Sequence, residues 1–324
     1  MAFLLVRNGT PVSKGARCPG HPLGRNDEMT FLAARLLARA STCRLRPALL
    51  AAGLMLAPAG EAAAQATTGP ATDVGVAAGS SAEQAAPTTG IAIPGIDVTM
   101  TGLGAATSDY LFSGISQTRN NWAVQGTVDL EHESGVYVGA FITNAKFLAS
   151  PYNDTRQELD LLAGYRFELA GVKLDLGYIA YLYPGQDKAP GGQLNEFQEV
   201  GVKASYAFDP VKLQAAFFYS PNYFGRSGDG YYVEGGVDVA APLGFTVLGR
   251  LGYQWIEREA FFGTPDYLWY AVGVQREVFA GVNVAVGFYG TDISKRDCAP
   301  VADRANGGQR ICGQRALVTF SRAF

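Results

Sequence analysis

The sequence predicts an all-β fold: a closed, antiparallel transmembrane β-barrel of about 12 strands. Three observations carry that expectation. From Gly95 onward, apolar and polar side chains alternate over long stretches. The connections between those stretches alternate between short and long. No stretch past residue 60 holds 18 consecutive apolar residues, which leaves no spanning helix there. Composition agrees. The chain has 40 Gly, 34 Tyr and Phe together, and 17% charged residues, against about 25% in soluble chains. Its mean hydropathy of +0.05 is too low for a bundle of membrane helices.

The N-terminus reads as an export signal. Residues 47–59, PALLAAGLMLAPA, form a short apolar core. Arg35, Arg39, Arg44 and Arg46 precede it, and the small-residue run EAAAQA follows. That order marks a secretory signal peptide over residues 1–66, with cleavage after Ala64 or Ala66. The long stretch before the core makes Met29 the expected translation start. Removing residues 1–66 leaves 18 basic against 26 acidic residues, a net charge of −8. Nucleic acid is not an expected partner of such a chain. Cys18 and Cys43 leave with the signal, and Cys298 and Cys312 remain as an even pair in an oxidising compartment. Residues 67–94, rich in Ala, Gly, Thr, Ser and Pro, read as a flexible periplasmic linker.

Residues 95–324 read as the barrel. Strands are expected near 96–107, 121–132, 135–147, 156–168, 171–183, 195–208, 211–220, 230–240, 244–257, 266–277, 281–292 and 315–324. In the second, Trp122, Val124, Val128 and Leu130 oppose Gln125, Thr127, Asp129 and Glu131. In the fourth, Leu159, Leu161, Ala163, Tyr165 and Phe167 oppose Glu158, Asp160, Gly164, Arg166 and Glu168. Such alternation gives each strand one apolar and one polar face. Membrane strands need about 9–11 residues to cross, whereas soluble strands average about 5–6. Short connections fall near Glu133, Leu169, Asp209, Pro242 and Phe279, and long ones span 108–120, 148–155, 184–194, 221–229, 258–265 and 293–314. Short inner turns and long outer loops are what outer-membrane barrels have, with both termini on the short-turn side. The sheet must close, because open edges cannot sit in hydrocarbon.

Polar parity places Asp129, Glu131, Glu158, Asp160, Glu168, Asp175, Glu199, Glu234 and Asp238 inside, together with Arg166, Lys173, Lys203, Lys212 and Arg250. The pore-lining candidates are therefore Asp129, Glu158, Asp160, Arg166, Lys173, Asp175, Glu199, Lys203, Glu234 and Arg250. Nine acids against five bases point to a slight preference for cations or neutral solutes. Closure of the turn at residues 241–243 by Ala240 and Gly244 would bring Glu234 opposite Arg250. The third strand is ambiguous in facing, and Lys146 is a further candidate for the interior.

Cys298 and Cys312 bracket the longest loop and are expected to form a disulfide. The chain stops at Phe324, with Phe320, Val318 and Ala316 at alternate positions. A terminal Phe on an amphipathic strand resembles the signal read by barrel-assembly machinery, although Arg322 stands where an apolar residue is more usual.

The segment Ser108-Asp109-Tyr110-Leu111-Phe112-Ser113-Gly114-Ile115-Ser116-Gln117-Thr118 is distinctive. With Gln125-Gly126, Ser134-Gly135-Val136-Tyr137-Val138-Gly139, Glu158-Leu159-Asp160, Ala163-Gly164-Tyr165, Asp175-Leu176-Gly177-Tyr178, Tyr183-Pro184-Gly185 and then Glu199, it resembles the proteobacterial TorF-type porin family, over about residues 98–292. That resemblance implies an outer-membrane barrel of a Gram-negative bacterium and a pore, and it implies no established substrate and no catalytic residue. Within it, Tyr110 and Phe112 read as members of an aromatic girdle at the membrane boundary, ahead of a ligand site.

Two other classes stand beside a passive diffusion channel for small hydrophilic solutes or ions. A structural or adhesive barrel with a plugged interior shares every feature above. An outer-membrane hydrolase needs a general base, and the only histidines are His21 in the presequence and His132 at a short turn. Gly225-Arg226-Ser227-Gly228-Asp229 lacks the last glycine of a nucleophile elbow. No His/Cys cluster has metal-ligand spacing, so no metal or cofactor is expected. The expected partners are membrane lipid, the assembly machinery and small solutes or ions.

Overall fold

The computed structural model describes residues 90–146, 155–186, 195–298 and 311–324. The signal at 1–66 and most of the linker lie outside the described residues, as do parts of three long loops.

Fifteen strands and three short helical turns make up the described chain. A short β1 (Ile91–Ile93) leads into β2 (Val98–Thr107). The two-residue pair β3 (Leu111–Phe112) and β4 (Ile115–Ser116) follows. Then come β5 (Ala123–His132), β6 (Val136–Asn144), β7 (Gln157–Leu169), β8 (Val172–Leu182), β9 (Phe197–Phe208) and β10 (Val211–Ser220). The last five are β11 (Gly230–Ala241), β12 (Phe245–Ile256), β13 (Tyr267–Phe279), β14 (Val282–Thr291) and β15 (Arg315–Ala323), with one helical turn, α1 (Glu259–Phe262), before β13.

β2 and β5–β15 form a closed antiparallel barrel of twelve strands, each pairing with its neighbour in sequence. Closure comes from β2, which pairs with β5 along one edge and with β15 along the other. Each of the twelve coincides with a strand read from the alternation, within about two residues at nearly every end.

The closing seam is a composite. β15 pairs with the outer part of β2, from Thr319 with Thr107 to Ala323 with Leu103. Phe324 and Gly102 then exchange two backbone hydrogen bonds, of 3.0 and 2.9 Å. Beyond that point β1 takes over the same edge, pairing Ile91 with Met100 and Ile93 with Val98. Ile91–Ile93 is thus a strand and not part of the flexible linker expected over residues 67–94. The Phe324 ring lies over Gly102, where an added Cβ would stand 2.1 Å from it.

The two faces of the wall differ sharply. Val124, Val138, Ile142, Leu161, Val200, Leu251, Val272 and Val286 are all at least 46% exposed, and they lie on one face. Aromatic pairs ring that face at both ends. Tyr165–Phe167 and Tyr206–Phe208 lie at the short-turn rim, and Tyr219–Tyr231 and Tyr253–Trp255 at the long-loop rim. An outward apolar band between two aromatic girdles suits hydrocarbon, not water. β6 resolves its ambiguity in this way: Val136, Val138 and Ile142 face out, and Tyr137 and Phe141 are buried inside.

Candidate functional site

The interior is the site, and it has two storeys. On the storey near the short turns, charged side chains pair across the wall. Arg166 on β7 bonds Asp129 at 2.9 Å and Glu131 at 2.7 Å, both on β5, and Asp175 on β8 at 3.4 Å. It reaches β5 across β6 where Gly139 lies under the Asp129 carboxylate and Gly164 under the Tyr137 ring, so that neither residue puts a side chain in the way. Its guanidinium lies 3.7 Å from the Tyr137 ring centroid. Lys203 on β9 stands 3.8 Å from the same Asp175, and the Tyr137 hydroxyl donates to it at 2.9 Å.

A second cluster sits on β10–β12. Arg250 bonds Asp238 at 2.5 Å and stands 3.9 Å from Glu234. Gln214 donates to the other Asp238 oxygen at 3.1 Å. Lys212 pairs in register with Asp238. The turn closes between Ala241 and Phe245, two residues away from the expected register in summed position. Gly252 therefore faces Glu234, and Arg250 faces Gly236. A slip of two keeps every facing, so Arg250 remains inside and lies between the two acids instead of opposite one.

The remaining candidates fall elsewhere. Lys173 is exposed at the short-turn rim, in register with Glu168. Lys146 lies beyond β6 and is exposed, its amide donating to the Gln117 carbonyl. Glu158, Asp160 and Glu199 belong to the other storey and are fully buried. Tyr110 donates to Glu158 at 2.6 Å and Tyr181 to Glu199 at 2.8 Å.

That outer storey is filled. The segment after β2 does not stand outside the barrel or in a girdle. It turns inward, so that Tyr110, Leu111, Ser113, Ile115, Ser116 and Thr118 are all buried. The expectation that Tyr110 and Phe112 face the membrane boundary is corrected here. Phe112 packs edge-on against Tyr181 and Phe197, at 5.8 and 6.3 Å between centroids. Tyr110 packs on Phe141. On the far side, a Cβ on Gly114 would stand 2.7 Å from Thr291 and 2.9 Å from Trp269, and this glycine also takes φ of +79°. The hairpin thus touches β6–β9 on one wall and β13–β14 on the other, and so crosses the lumen.

Asp109 holds the hairpin's shape. It accepts from Ser116 at 2.6 Å and Thr118 at 2.7 Å, and from Arg315 of β15 at 2.7 Å. Arg315 also bonds Asn120. The tip is tied from above, where the Ser116 amide donates to the Ile311 carbonyl at 2.8 Å. Ile311 adjoins Cys312, which forms the expected disulfide with Cys298 across 5.6 Å of Cα separation.

Aromatics from the other outer loops complete the plug. Tyr223 packs on Phe197 and Phe262, and Phe224 on Tyr183. The Tyr223 hydroxyl donates to Gln254 at 3.3 Å, and burial pushes its phenol well above the ordinary tyrosine range. These inward aromatics, with Phe218, Tyr232, Trp269 and Tyr289, are the functional residues that parity reasoning missed. Phe197, Phe218, Tyr232, Trp269 and Tyr289 stand at polar-parity positions of their strands, and that placement is the signal that could have found them, whereas Tyr223, Phe224 and Phe262 lie in loops, where parity gives no signal.

The sequence profile of a family described as a bacterial protein of unknown function, Gcw_chp, matches residues 92–324. The chain belongs to the Gcw_chp family. No curated protein is a match for it. Several solved outer-membrane porins are similar in structure to this Gcw_chp barrel. A KdgM porin in complex with disordered oligogalacturonate is 9% identical with a TM-score of 0.43, over 69% of this chain and 98% of that one. The NanC porin is 10% identical at 0.43, over 69% and 98%. The outer-membrane channel DcaP of Acinetobacter baumannii is 11% identical at 0.35, over 70% and 72%.

Proposed function

We propose that this protein is a porin-like diffusion channel of a Gram-negative outer membrane, closed at its outer storey by the 108–120 hairpin. The observation that carries the reading is the contrast between the two faces. The outside is apolar, and the inside carries salt-bridged Asp129, Asp175, Arg166 and Lys203, which would line a watered path. The short turns and both ends of the barrel face the periplasm in this reading, and the long loops face outward. Solutes are small and hydrophilic. The excess of inward acids favours cations and neutral molecules. The resemblance to TorF-type porins points the same way, and the terminal Phe324 serves as the assembly signal.

A second reading is favoured by the packing of Phe112 against Tyr181 and Phe197. A barrel filled in that way is a structural element without transport. Planar-bilayer recording separates the two. A channel gives small or infrequent conductance steps in the wild type and large, steady ones when residues 109–118 are replaced by a short Gly-Ser bridge. Silence in both proteins, each shown to be inserted, would establish the structural reading.

A further inference from the structure

The outward face of the twelve barrel strands carries almost no acidic or basic side chain. Among the described residues, its only Asp, Glu, Lys or Arg side chains are Arg276 on β13 and Arg322 on β15. Register places both on that face. Arg276 pairs with Phe245 and Val284, and Arg322 pairs with Val282 and Gly104. The two strands flank β14, so the arginines are separated by Val282 and Val284 at a backbone distance of about 12 Å.

Both lie at the short-turn rim. Val282, the partner of Arg322, is the first residue of β14, and Arg276 stands three residues before the end of β13. Around them Phe245, Phe279 and Phe324 mark the girdle level, with Phe279 and Phe324 well exposed. Lone cations facing lipid are tolerated at such a level because they can reach the headgroups.

Neither arginine is neutralised by a described residue of the protein. Arg276 lies over the Phe245 ring at 5.1 Å and makes no ion pair with a described residue. Arg322 makes none either, even with the carboxylate of Phe324 two residues on. Glu277, next to Arg276 in sequence, shares the inner face with Asn283 and accepts from the Gly281 amide at 3.0 Å. Two unpaired guanidiniums with no acid on their face are complementary to one phosphate, which Arg binds through paired N–H donors.

We propose that Arg276 and Arg322 together bind the phosphate of an anionic glycerophospholipid in the leaflet at the short-turn rim. The site would hold one lipid against Val282 and Val284, with its acyl chains on the apolar wall. The inference rests on the reading of the exposed apolar face as lipid-facing.

Native mass spectrometry of the whole purified protein in neutral detergent tests it, with phosphatidylglycerol as the probe and diacylglycerol as the phosphate-free control. The wild type retains phosphatidylglycerol and not diacylglycerol, and retention falls as salt rises. Arg276→Gln and Arg322→Gln each lower phosphatidylglycerol affinity about fivefold, and the double variant lowers it roughly thirtyfold. Should the double variant fail to fold, Arg276→Lys with Arg322→Lys keeps the charge and must keep the preference over diacylglycerol. Equal retention by wild type and the double Gln variant overturns the proposal, and so does equal retention of phosphatidylglycerol and diacylglycerol by the wild type. If the folded protein does not enter phosphatidylcholine vesicles at all, the lipid-facing reading falls with it. If it enters and the double variant binds normally, only the phosphate site falls.

Discussion

Arg315 of β15 and Asp109 of the inward hairpin, 206 residues apart in sequence, form a 2.7 Å ion pair inside the barrel mouth. Their side chains are 13% and 5% exposed, so solvent screens the pair little. Asp109 also takes hydrogen bonds from Ser116 and Thr118. One carboxylate therefore fixes the shape of the hairpin and ties it to the barrel wall.

Replacing Arg315 by Ala leaves Asp109 buried without its cation. Loss of one partner of a buried pair costs about 3 kcal/mol. We expect the hairpin to loosen before the barrel does. Limited proteolysis should cut within residues 109–118 of the variant and spare that segment in the wild type, and thermal unfolding in detergent should begin earlier. An unchanged cutting pattern would mean that the pair does not hold the hairpin.

The Cys298–Cys312 disulfide lies directly above the hairpin tip through the bond from Ser116 to Ile311. Closing a loop of about 15 residues contributes roughly 3 kcal/mol in the chain-entropy model. Non-reduced protein should therefore show no free thiol at these positions. Reduction should make the outer loop protease-sensitive while heat-modifiable migration of the barrel on a gel persists. Labelling of both cysteines without reductant would contradict the bridge.

Gly252 faces inward beneath Trp269, whose indole N–H donates to Tyr232 at 3.1 Å. A Cβ at 252 would stand 2.2 Å from that nitrogen. Gly252→Ala should push the indole off its partner and cost about 1–3 kcal/mol as overpacking. In a background with Trp122 and Trp255 replaced by Phe, the variant's emission should move to the red. Emission identical to the parent would show that the wall has room to spare.

Arg166 gathers Asp129, Glu131 and Asp175 on the short-turn storey. Its side chain is 22% exposed, so the loss on Arg166→Gln is discounted to about 2 kcal/mol. The larger effect should be electrical. Removing one cation among three acids should move the reversal potential under a salt gradient toward cations, in a protein whose hairpin has been bridged out to give measurable current. A shift toward anions would contradict the assignment of these charges to the path.

The barrel itself was legible in the chain. Alternation over ten or more residues leaves one facing per strand, and the short-long rhythm of the connections orders the strands. Legibility ended where both parities are apolar. In β6, Tyr137 and Phe141 compete with Val138 and Ile142, and only the neighbouring strands decide. It ended again at residues 108–118. Tyr110 and Phe112 announce that the segment is special, yet loop apolarity does not say whether a loop folds outward to the girdle or inward to the lumen. The segment holds one ionised side chain, Asp109, among small hydroxyl residues. That poverty of charge marks a buried loop. The Arg315 latch had no local signal, because its partner lies at the opposite end of the barrel sequence and meets it only through closure of β15 on β2.

The sidedness of the wall is best tested with two tryptophans of opposite facing. Trp255 is 42% exposed on the apolar outer face, and Trp269 is fully buried inside. Single-tryptophan proteins, each made by changing the other two to Phe, can be reconstituted into phosphatidylcholine brominated along its acyl chains. Bromine quenches only on near contact. The expected result is strong quenching of Trp255 and almost none of Trp269. Equal quenching of both, or stronger quenching of Trp269, would contradict a barrel that turns its apolar face to lipid and fills its mouth with its own first loop.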